Sequence, residues 1–248
     1  MMRVFAGRFD GRSALVTGGA KGVGAAIAAR IAAEGGRVAV ADVDRAAGEA
    51  LSREIGCEYL ALDVSDAGAV MRALDGRPAF DIVVNNAGID QHSFFTRSTP
   101  DEWRRLLAVN LESVFSVCRA TLPAMQARGY GRIVNIGSEA GRLGSKGGSV
   151  YAATKGAMIA FTKSLAIENA RFGITANVVA PGPIRTPLLD TALAAGGDHL
   201  LEAMVGSTLL KRLGDPREVA AAVAFVASQE ASFITGETIG VSGGMGLG

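Results

Sequence analysis

The sequence predicts a single α/β domain, built on a doubly wound parallel sheet with helices on both faces. Short apolar runs bounded by turn residues alternate with helix-like stretches along the 248 residues. The chain is 49% hydrophobic and contains 33 glycines, which suits a buried parallel sheet with many tight strand-to-helix turns. No proline- or serine-rich tract or charge block divides the chain, so we expect one domain over residues 1–248.

The first predicted unit is a strand, a helix and a second strand. Residues 13–17 are short and apolar, which predicts a buried strand. Residues 24–34 are rich in alanine and carry two isoleucines four apart, which predicts a helix that a Gly-Gly pair ends. Residues 37–42 predict the next strand, and the crossover between the two strands should be right-handed.

The same alternation continues to the C-terminus. Thr99, Pro100 and Glu102 form a helix start that should run to about residue 126, with Pro123 as a kink or break. A further helix is predicted over residues 150–171. Five more strands are predicted at residues 59–63, 81–85, 132–137, 174–180 and 238–242, which makes seven in all.

Residues 183–212 interrupt this alternation after the sixth strand. They contain Pro187, a Gly-Gly pair and two short apolar clusters, and we expect a helical flap over the substrate. Its apolar side chains either line a cavity or pack the flap down: Leu188, Leu189, Leu193, Met204 and Leu209.

Composition argues against several classes of function. The net charge of +1 leaves no basic footprint for nucleic acid or for an anionic membrane. Two histidines and two cysteines, none in metal-ligand spacing, do not supply a zinc site, so no metal is expected. Because only Cys57 and Cys118 are present, the sequence favours a reducing, cytoplasmic setting without disulfides. We expect neither a secretory signal nor a bilayer-spanning segment.

A glycine-rich turn between the first strand and the first helix predicts a dinucleotide site. The segment from Thr17 to Gly24 is T-G-G-A-K-G-V-G, which includes Gly18, Gly22 and Val23. Glycine lets the backbone turn sharply and approach a pyrophosphate, which the N–H groups of the new helix then bind. The alternative is that these glycines only allow tight packing of strand on helix.

Three residues bear on the choice between NAD and NADP. Asp42 ends the second strand, where a carboxylate can hydrogen-bond the adenosine ribose and would repel a 2′-phosphate. Lys21 argues the other way, because its charge can attract that phosphate. Val43 adds no second cation, so we favour NAD over NADP. The alternative for Asp42 is an ordinary surface aspartate.

Two more strand ends should lie at the same edge of the sheet. Asp63 and Val64 close the third strand, where we expect the adenine. The fourth strand closes with N-N-A-G, which contains Asn86, Ala87 and Gly88. Open α/β sheets bind ligands at the carboxyl ends of their strands, so both segments are predicted to contact the cofactor.

Tyr151 and Lys155 stand four residues apart and should share one face of a helix. Tyrosine has a pKa of about 10, so a base at neutral pH needs this pKa lowered toward ~7. A nearby ammonium and the positive ring of an oxidised nicotinamide can supply that shift. Ser138 ends the fifth strand, and its hydroxyl can hold a substrate oxygen beside the phenol. Taken alone, a Tyr and Lys at this spacing also occur by chance on solvated helix faces.

Together these motifs resemble the short-chain dehydrogenase/reductase family over essentially the whole chain. The resemblance implies a Rossmann-type sheet of seven parallel strands, hydride transfer between a secondary alcohol or ketone and NAD(P), and a homotetramer. The matching segments are T-G-G-A-K-G-V-G at 17–24, D-V at 63–64, N-N-A-G at 85–88, Asn110, Ser138, Tyr151, Lys155 and P-G-P-I-R-T at 181–186.

The resemblance also implies roles for the catalytic residues. Tyr151 would act as general acid and base, and Ser138 would orient the carbonyl. Lys155 would bind the nicotinamide ribose and lower the tyrosine pKa. Asn110 would hold a water that links the lysine to solvent, although the residue alone is more typical of a hydrogen-bonded core amide.

The last matching segment would contact the nicotinamide. Thr186 would bind its carboxamide, with Ile184 beside it, and Pro181 and Gly182 belong to the same motif. The C-terminal segments resemble those of 3-oxoacyl thioester reductases and hydroxyacyl-CoA dehydrogenases, but sugar and polyol dehydrogenases share them.

The substrate is less well specified by the sequence. A 3-hydroxyacyl or 3-oxoacyl thioester, a cyclic alcohol, and a sugar or polyol all stay open. So does a catalytically silent dinucleotide sensor or scaffold, although a sensor has no need for an ionisable phenol at this spacing. The predicted substrate pocket comprises the flap and Gln91, His92, Glu139, Arg142 and Lys146. The two cations are at least as typical of solvated loops, and His92 is more typical of an exposed loop.

Overall fold

A computed structural model describes residues 5–247, apart from the side chains of residues 188 and 190–198. Its seven strands form one parallel sheet in the order β3-β2-β1-β4-β5-β6-β7. This confirms the predicted seven-stranded parallel sheet with helices on both faces. The strands are β1 (Ser13–Thr17), β2 (Arg37–Asp42), β3 (Glu58–Ala61), β4 (Ile82–Asn85), β5 (Gly131–Ile136), β6 (Ile174–Pro181) and β7 (Thr238–Val241).

Helices follow most of the strands and cover both faces of the sheet. They are α1 (Gly22–Ala33), α2 (Arg45–Ile55), α3 (Ala67–Leu74), α4 (Pro100–Leu107), α5 (Ser113–Arg128), α6 (Ala140–Leu143), α7 (Ser149–Asn169), α8 (Pro187–Gly206) and α9 (Pro216–Val226). Among the described residues, no helix is both long enough and apolar enough to cross a bilayer.

Two buried clusters hold these layers together. Successive side chains of a strand point to opposite faces, so Val16 packs under α1 and α9 while Leu15 packs under α5 and α7. Ile27 of α1 and Met158 of α7 are fully buried on the two sides. The strands are therefore apolar on both faces, as the continuous hydrophobic runs predicted.

The strand order reverses direction between β1 and β4. In doubly wound sheets this switch point opens a crevice at the carboxyl ends of the strands. A buried polar chain ties the neighbouring strands below it: Asn85 Nδ2 donates to Asn135 Oδ1 at 2.8 Å, and Asn135 Nδ2 donates to Thr162 Oγ1 at 2.8 Å. The floor of the crevice is therefore fixed by side chains as well as by the sheet.

One predicted helix differs from the structure. The stretch that begins after Thr99 is helical without interruption to Arg128, as predicted through residue 126, but Ala108–Glu112 forms a π-helical turn within it, between α4 and α5. Pro123, the predicted break, lies inside α5. The physical reason is tertiary: Asn110 at the centre of the π turn bonds the loop after β4. π turns in helices often mark functional positions.

The segment predicted as a helical flap, residues 183–212, contains one helix, α8, which spans both of its apolar clusters. α8 begins at Pro187, and the Thr186 hydroxyl accepts from Leu189 N at 3.3 Å as an N-cap. The Gly-Gly pair at 196–197 does not end the helix.

Candidate active site

A cleft of about 1230 Å³ opens at the carboxyl edge of the sheet, above the switch point. Most of the predicted site residues line it, although they come from seven separate segments of the chain. The lining members are Gly18, Lys21, Gly22, Val23, Asp42, Val43, Asp63, Val64, Asn86, Ala87, Gly88, Ser138, Tyr151, Lys155, Pro181, Gly182, Ile184 and Thr186. Thr17, Gly24 and Asn110 lie behind this surface and hold it in place.

The glycine turn has the geometry that a closely bound ligand needs. Gly18 has φ +58°, and a Cβ there would lie 2.7 Å from the Ala87 Cα. A Cβ on Gly24 would lie 2.2 Å from the Gly18 carbonyl oxygen and 2.5 Å from Asn86 Nδ2. Gly22 has φ +56° and faces the cleft opposite Thr186. Each of these positions therefore requires glycine, for conformation or for space.

The start of α1 is open toward the cleft. Its N-cap residue, Lys21, makes no side-chain cap, so the first N–H groups of the helix keep their hydrogen-bonding capacity. Side chains do cap five other helices in the described chain, namely α2, α3, α4, α8 and α9. An uncapped helix start behind a glycine turn fits the pyrophosphate of a dinucleotide.

Asn86 and Thr17 fasten the ends of β1 and β4 together. Asn86 Nδ2 donates to the carbonyls of Thr17 at 3.1 Å and Gly18 at 2.8 Å. In return, Thr17 Oγ1 accepts from Asn86 N at 3.1 Å and Ala87 N at 3.2 Å. Thr17 is 2% exposed, so its contribution in this structure is to shape the wall.

Asp42 and Lys21 meet at the end of β2. The Asp42 carboxylate accepts from Ala20 N and from Asp44 N, both at 2.9 Å, which fixes its orientation at the cleft edge. Lys21 Nζ lies 2.5 Å from an oxygen of Asp44, and this hydrogen bond raises the pKa of Lys21. Two carboxylates thus stand beside one lysine, and the local charge is net negative.

The end of β3 supplies the predicted adenine wall. The strand itself stops at Ala61, and Asp63 and Val64 follow in the turn before α3. Asp63 accepts from Ser65 N at 2.9 Å and from Ser65 Oγ at 2.7 Å, so its carboxylate also orders this turn.

Ser138, Tyr151 and Lys155 converge at the floor of the cleft. Ser138 follows β5, and Tyr151 and Lys155 lie on one face of α7. Lys155 is buried, its Nζ donates to the Ile136 carbonyl at 2.8 Å, and it lies 5.8 Å from the centre of the Tyr151 ring. The arrangement brings a hydroxyl, a phenol and an amine to one space.

The expected lowering of the Tyr151 pKa is not a property of the protein alone. Burial raises this pKa to about 12, and a hydrogen bond with Ser138 offsets only part of the rise. Burial also lowers the pKa of Lys155 to about 8. Lys155 donates to a backbone carbonyl. The predicted lowering of the Tyr151 pKa also relied on the charge of an oxidised nicotinamide, so it stays a prediction for the cofactor-bound protein. At neutral pH the phenol is therefore protonated, the form that donates a proton.

Asn110 is a buried, bonded amide behind the catalytic floor. Its Oδ1 accepts from Ile89 N at 2.8 Å and its Nδ2 donates to Ile89 O at 2.9 Å. A Cβ on Gly88 would lie 3.4 Å from Asn110 Oδ1 and 3.6 Å from Lys155 Nζ, so the three residues are neighbours. The amide thus fixes the loop that follows β4, close to the lysine.

The segment after β6 closes the cleft on the nicotinamide side of the predicted site. Ile184 forms a bridge with Gly214, and a Cβ on Gly182 would lie 2.9 Å from the Ser242 Cα. Thr186 lines the cleft while it caps α8. Its hydroxyl therefore already has a structural partner.

Several predicted substrate residues lie elsewhere. Gln91 is buried and bonds the start of α7, and Arg142 pairs with Glu139 at 3.1 Å. Leu209 packs against the C-terminal segment beside Gly244. The remaining lining residues among these predictions are His92, Glu139, Lys146, Leu189 and Met204. The predictions for the side chains of Leu188 and Leu193 fall outside the described residues.

The sequence analysis missed several residues that line the cleft, of which Asp90 and Met245 are two. Asp90 lies in the loop after β4, where its charge raises the pKa of both Tyr151 and Lys155. Its position after the N-N-A-G segment is the signal that would have found it. Met245 reaches the cleft from the C-terminal segment, for which no sequence pattern gives a signal.

Replacement of Asp90 by asparagine should shift the pH dependence of the reaction. The change removes a negative charge that disfavours the phenolate and favours the ammonium, so the pKa values of Tyr151 and Lys155 should both fall. In ketone reduction, the alkaline limb of the kcat/KM profile should move to lower pH. Asp101→Asn at the exposed start of α4 is the control, and a profile identical to wild type in Asp90→Asn would contradict the assignment.

Comparison with known proteins agrees with this geometry. A family profile described as enoyl-(acyl carrier protein) reductase matches residues 18–246. The chain is 42% identical to 3-oxoacyl-[acyl-carrier-protein] reductase FabG of Escherichia coli (strain K12), over 96% of this chain and 98% of that protein. It is also 42% identical to 2-dehydro-3-deoxy-L-rhamnonate dehydrogenase (NAD(+)) of Sphingomonas sp. (strain SKA58), over 98% of both chains.

A solved structure shares the fold. A 3-oxoacyl-[acyl-carrier protein] reductase with bound NAD, from Brucella melitensis, superposes with a TM-score of 0.88 at 37% identity. The match covers 98% of this chain and 94% of that chain.

Proposed function

The chain belongs to the short-chain dehydrogenase/reductase family and is an oxidoreductase that interconverts a secondary alcohol and a ketone; we propose that it does so with NAD(H) as cofactor. The observation that carries the proposal is that Ser138, Tyr151 and Lys155 line the same cleft as the glycine turn and the uncapped start of α1. A bound dinucleotide supplies the hydride acceptor or donor, and the residues of the chain handle the proton.

The proposed mechanism follows from where these groups stand. Ser138 Oγ and the Tyr151 phenol bind the carbonyl oxygen of a ketone from the floor of the cleft. As hydride reaches the carbonyl carbon, the oxygen gains negative charge and the phenol gives it a proton. Lys155, anchored on the Ile136 carbonyl, places its charge beside the resulting phenolate. In alcohol oxidation the same groups act in reverse, with the phenolate as base.

We propose cofactor-binding roles for the residues that line the cleft. The uncapped N-terminus of α1, behind Gly18 and Gly22, would hold the pyrophosphate, and Asp63 and Val64 would flank the adenine. Asn86, Ala87 and Gly88 line the cleft between them. The family resemblance implies that Lys155 would bind the nicotinamide ribose, and Ile184 and Thr186 the nicotinamide carboxamide. It also implies that Asn110, which fixes the loop beside Lys155, would hold a water on the path from that lysine to solvent.

The end of β2 supports NAD as the cofactor. The Asp42 carboxylate is held at the cleft edge, where it can accept hydrogen bonds from ribose hydroxyls and repel a 2′-phosphate. Lys21, the cation that argued for NADP, is paired with Asp44. An NAD-linked relative and an NAD-bound structural neighbour are consistent with this assignment.

Asp42→Asn should weaken the preference for NADH over NADPH. The substitution keeps a hydrogen-bond acceptor for the backbone but removes the charge that repels a 2′-phosphate. The ratio of kcat/KM for NADH to that for NADPH should fall about tenfold, which is about 1.4 kcal/mol. Glu49→Gln, on the exposed face of α2, is the matched control. A wild-type enzyme that prefers NADPH would contradict the NAD assignment.

A 3-oxoacyl thioester is the first substrate class that we propose. The flap and the C-terminal segment give the cleft an apolar side, with Leu189, Met204 and Met245, which suits an acyl chain. A second class, hydroxylated sugar acids, is supported by polar side chains in the cleft lining, namely Asp90, His92 and Lys146. We propose that residues 183–212 cover either substrate as a flap.

A substrate screen tests the proposed function. Acetoacetyl-CoA with NADH, and a panel of sugar acids, polyols and cyclic alcohols with NAD⁺, should be followed through NADH absorbance. Turnover of either class supports the oxidoreductase mechanism, and the faster class identifies the substrate. Absence of turnover on every compound, while NADH still binds, would favour the sensor or scaffold alternative.

We also propose a cytoplasmic homotetramer. Apolar side chains are exposed on the outer helices and near the C-terminus: Phe115, Ile167, Phe225 and Phe233 are 40%, 81%, 41% and 103% exposed. We propose that these side chains contribute to subunit contacts, the role that contiguous exposed apolar patches have. Cys57 and Cys118 are both free and buried, which suits a reducing compartment. Light scattering on the eluting protein measures the mass; a monomer would contradict the assembly.

A further inference from the structure

The catalytic helix α7 begins without a cap of its own. Its N-cap residue is Gly148, which has no side chain to accept hydrogen bonds from the N–H groups of the first turn. The first N–H groups of a helix have no partner within the helix and must be satisfied from outside. Tyr151 lies in this first turn, so whatever binds these groups also fixes the start of the catalytic helix.

A side chain distant in sequence supplies the missing acceptor. Gln91 Oε1 accepts from Val150 N at 2.9 Å and from Tyr151 N at 3.2 Å. The residue is 8% exposed. The Gln91 Nε2 is also buried and donates to no atom of the described residues. The hydrogen bonds of this side chain to the described residues are therefore those that its oxygen accepts from α7.

The loop that carries Gln91 is itself anchored on both sides. Asn110 bonds the N–H and the carbonyl of Ile89, two residues before Gln91. Ser93 N, two residues after it, donates to the Gly147 carbonyl at 2.9 Å, just before α7 begins. The Gln91 oxygen is therefore held at a fixed position relative to both the end of β4 and the start of the catalytic helix.

We propose that Gln91 is a positioning residue for Tyr151. Through its bonds to the first turn of α7, Gln91 fixes the phenol relative to the segment after β4 that lines the cleft. This one loop therefore lines the cleft through Gly88 and Ile89 and contacts the catalytic helix through Gln91. The inference rests on the proposed function, because it assigns to Tyr151 the proton transfer described above.

Two substitutions by residues similar in size to glutamine separate the effect of the hydrogen-bond acceptor from the effect of side-chain volume. Gln91→Met keeps the length and flexibility of the side chain but removes the oxygen, whereas Gln91→Glu retains an acceptor at the N-terminus of a helix, where negative charge is favourable. A displacement of reacting groups by about 1 Å costs about 100-fold in rate. We expect Gln91→Met to lower kcat on acetoacetyl-CoA about 10- to 100-fold, with the Kd for NADH unchanged. Gln91→Glu should retain most of the wild-type kcat.

A second measurement reports the position of the helix without turnover. In Gln91→Met, the backbone amides of Val150 and Tyr151 should exchange with deuterium faster than in wild type, while Gln91→Glu keeps them protected. Asp66→Ala, which removes the side-chain cap of α3, is the matched loss of a helix cap. Asp66→Ala should lower Tm by a few degrees, as Gln91→Met should, but it should leave kcat unchanged.

The outcomes distinguish the two claims. Suppose that the wild type turns over a substrate and Tyr151→Phe does not. If Gln91→Met then keeps both the wild-type kcat and the wild-type amide protection, the positioning role is wrong and the proposed function stands. If Gln91→Met and Asp66→Ala lose kcat equally, the effect is general destabilisation and the inference also fails. If wild type reduces nothing, the proposed function fails, and unchanged exchange at residues 150 and 151 would then overturn the inference separately.

Discussion

Tyr151→Phe should abolish turnover while it leaves dinucleotide binding intact. The phenol is the described side chain in the cleft placed beside Ser138 to exchange a proton with a substrate oxygen. General acid–base catalysis contributes about 10²- to 10⁴-fold, so kcat in either direction should fall by at least that much. The Kd for NADH, measured by fluorescence, should stay within about twofold of wild type, because phenylalanine retains the ring and its packing.

Tyr130→Phe is the control for this experiment. That ring packs against the guanidinium groups of Arg12 and Arg132, away from the cleft. Loss of its hydroxyl should leave kcat and KM unchanged. A Tyr151→Phe variant with wild-type turnover would show that another group moves the proton and would overturn the mechanism.

Gly24→Ala should abolish cofactor binding and destabilise the fold. An added Cβ would lie 2.2 Å from the Gly18 carbonyl oxygen and 2.5 Å from Asn86 Nδ2. Both neighbours belong to the turn that we propose as the pyrophosphate site, so they cannot move without opening it. A shift of about 1 Å costs about 100-fold in function, and overpacking costs about 1–3 kcal/mol of stability. The Kd for NADH should therefore rise about 100-fold or more, with a fall of several degrees in Tm.

Gly68→Ala separates the clash from the general effect of replacing a helical glycine. Gly68 is exposed in α3, and its nearest neighbour there is the mobile end of the Arg72 side chain. Alanine should be neutral or stabilising at this position. Equal losses of cofactor affinity in the two variants would contradict the role that we give to the glycine turn.

The sequence predicted the sheet well because the strands are apolar on both faces. Runs such as S-A-L-V-T and R-V-A-V-A-D match β1 and β2 to the residue. The bounds of the other five strands differ from the predicted ones by one or two residues, since where a strand begins and ends depends on which neighbour continues the ladder. Local composition does not contain that information.

The π turn between α4 and α5 shows a different limit. Proline is a helix breaker in the sequence, yet Pro123 lies inside α5. The irregularity is instead the π turn at Ala108–Glu112, which contains Asn110 with its two bonds to Ile89. Those bonds join segments that are distant along the chain, so no helical period could place the π turn.

The candidate site was predictable where motifs carry the chemistry. Gly18, Gly22, Ser138, Tyr151 and Lys155 were named from turn and helix spacing, and all line the cleft. The contacts of Gln91 and the position of Asp90 were not predicted, because the folded loop brings both residues close to partners that are distant in sequence. Gln91 was predicted in the substrate pocket, but its amide bonds α7 instead.

The electrostatic expectation for Tyr151 was incomplete for a similar reason. The sequence indicated a nearby lysine but not the burial that raises the phenol pKa to about 12. Nor did it show that Lys155 bonds the Ile136 carbonyl and has its own pKa lowered to about 8. The protein alone therefore holds a proton donor. Its use as a base in alcohol oxidation requires the added positive charge of an oxidised nicotinamide.

A titration of the Tyr151 phenol tests this account most directly. The chain contains three tyrosines, so the difference in tyrosinate absorbance near 295 nm between wild type and Tyr151→Phe isolates this residue. In the protein alone, we expect no Tyr151 ionisation below pH ~10. With saturating NAD⁺, the midpoint should fall toward ~7, the range in which a general base acts. A midpoint that NAD⁺ leaves unchanged would contradict the proposal that Tyr151 exchanges the substrate proton.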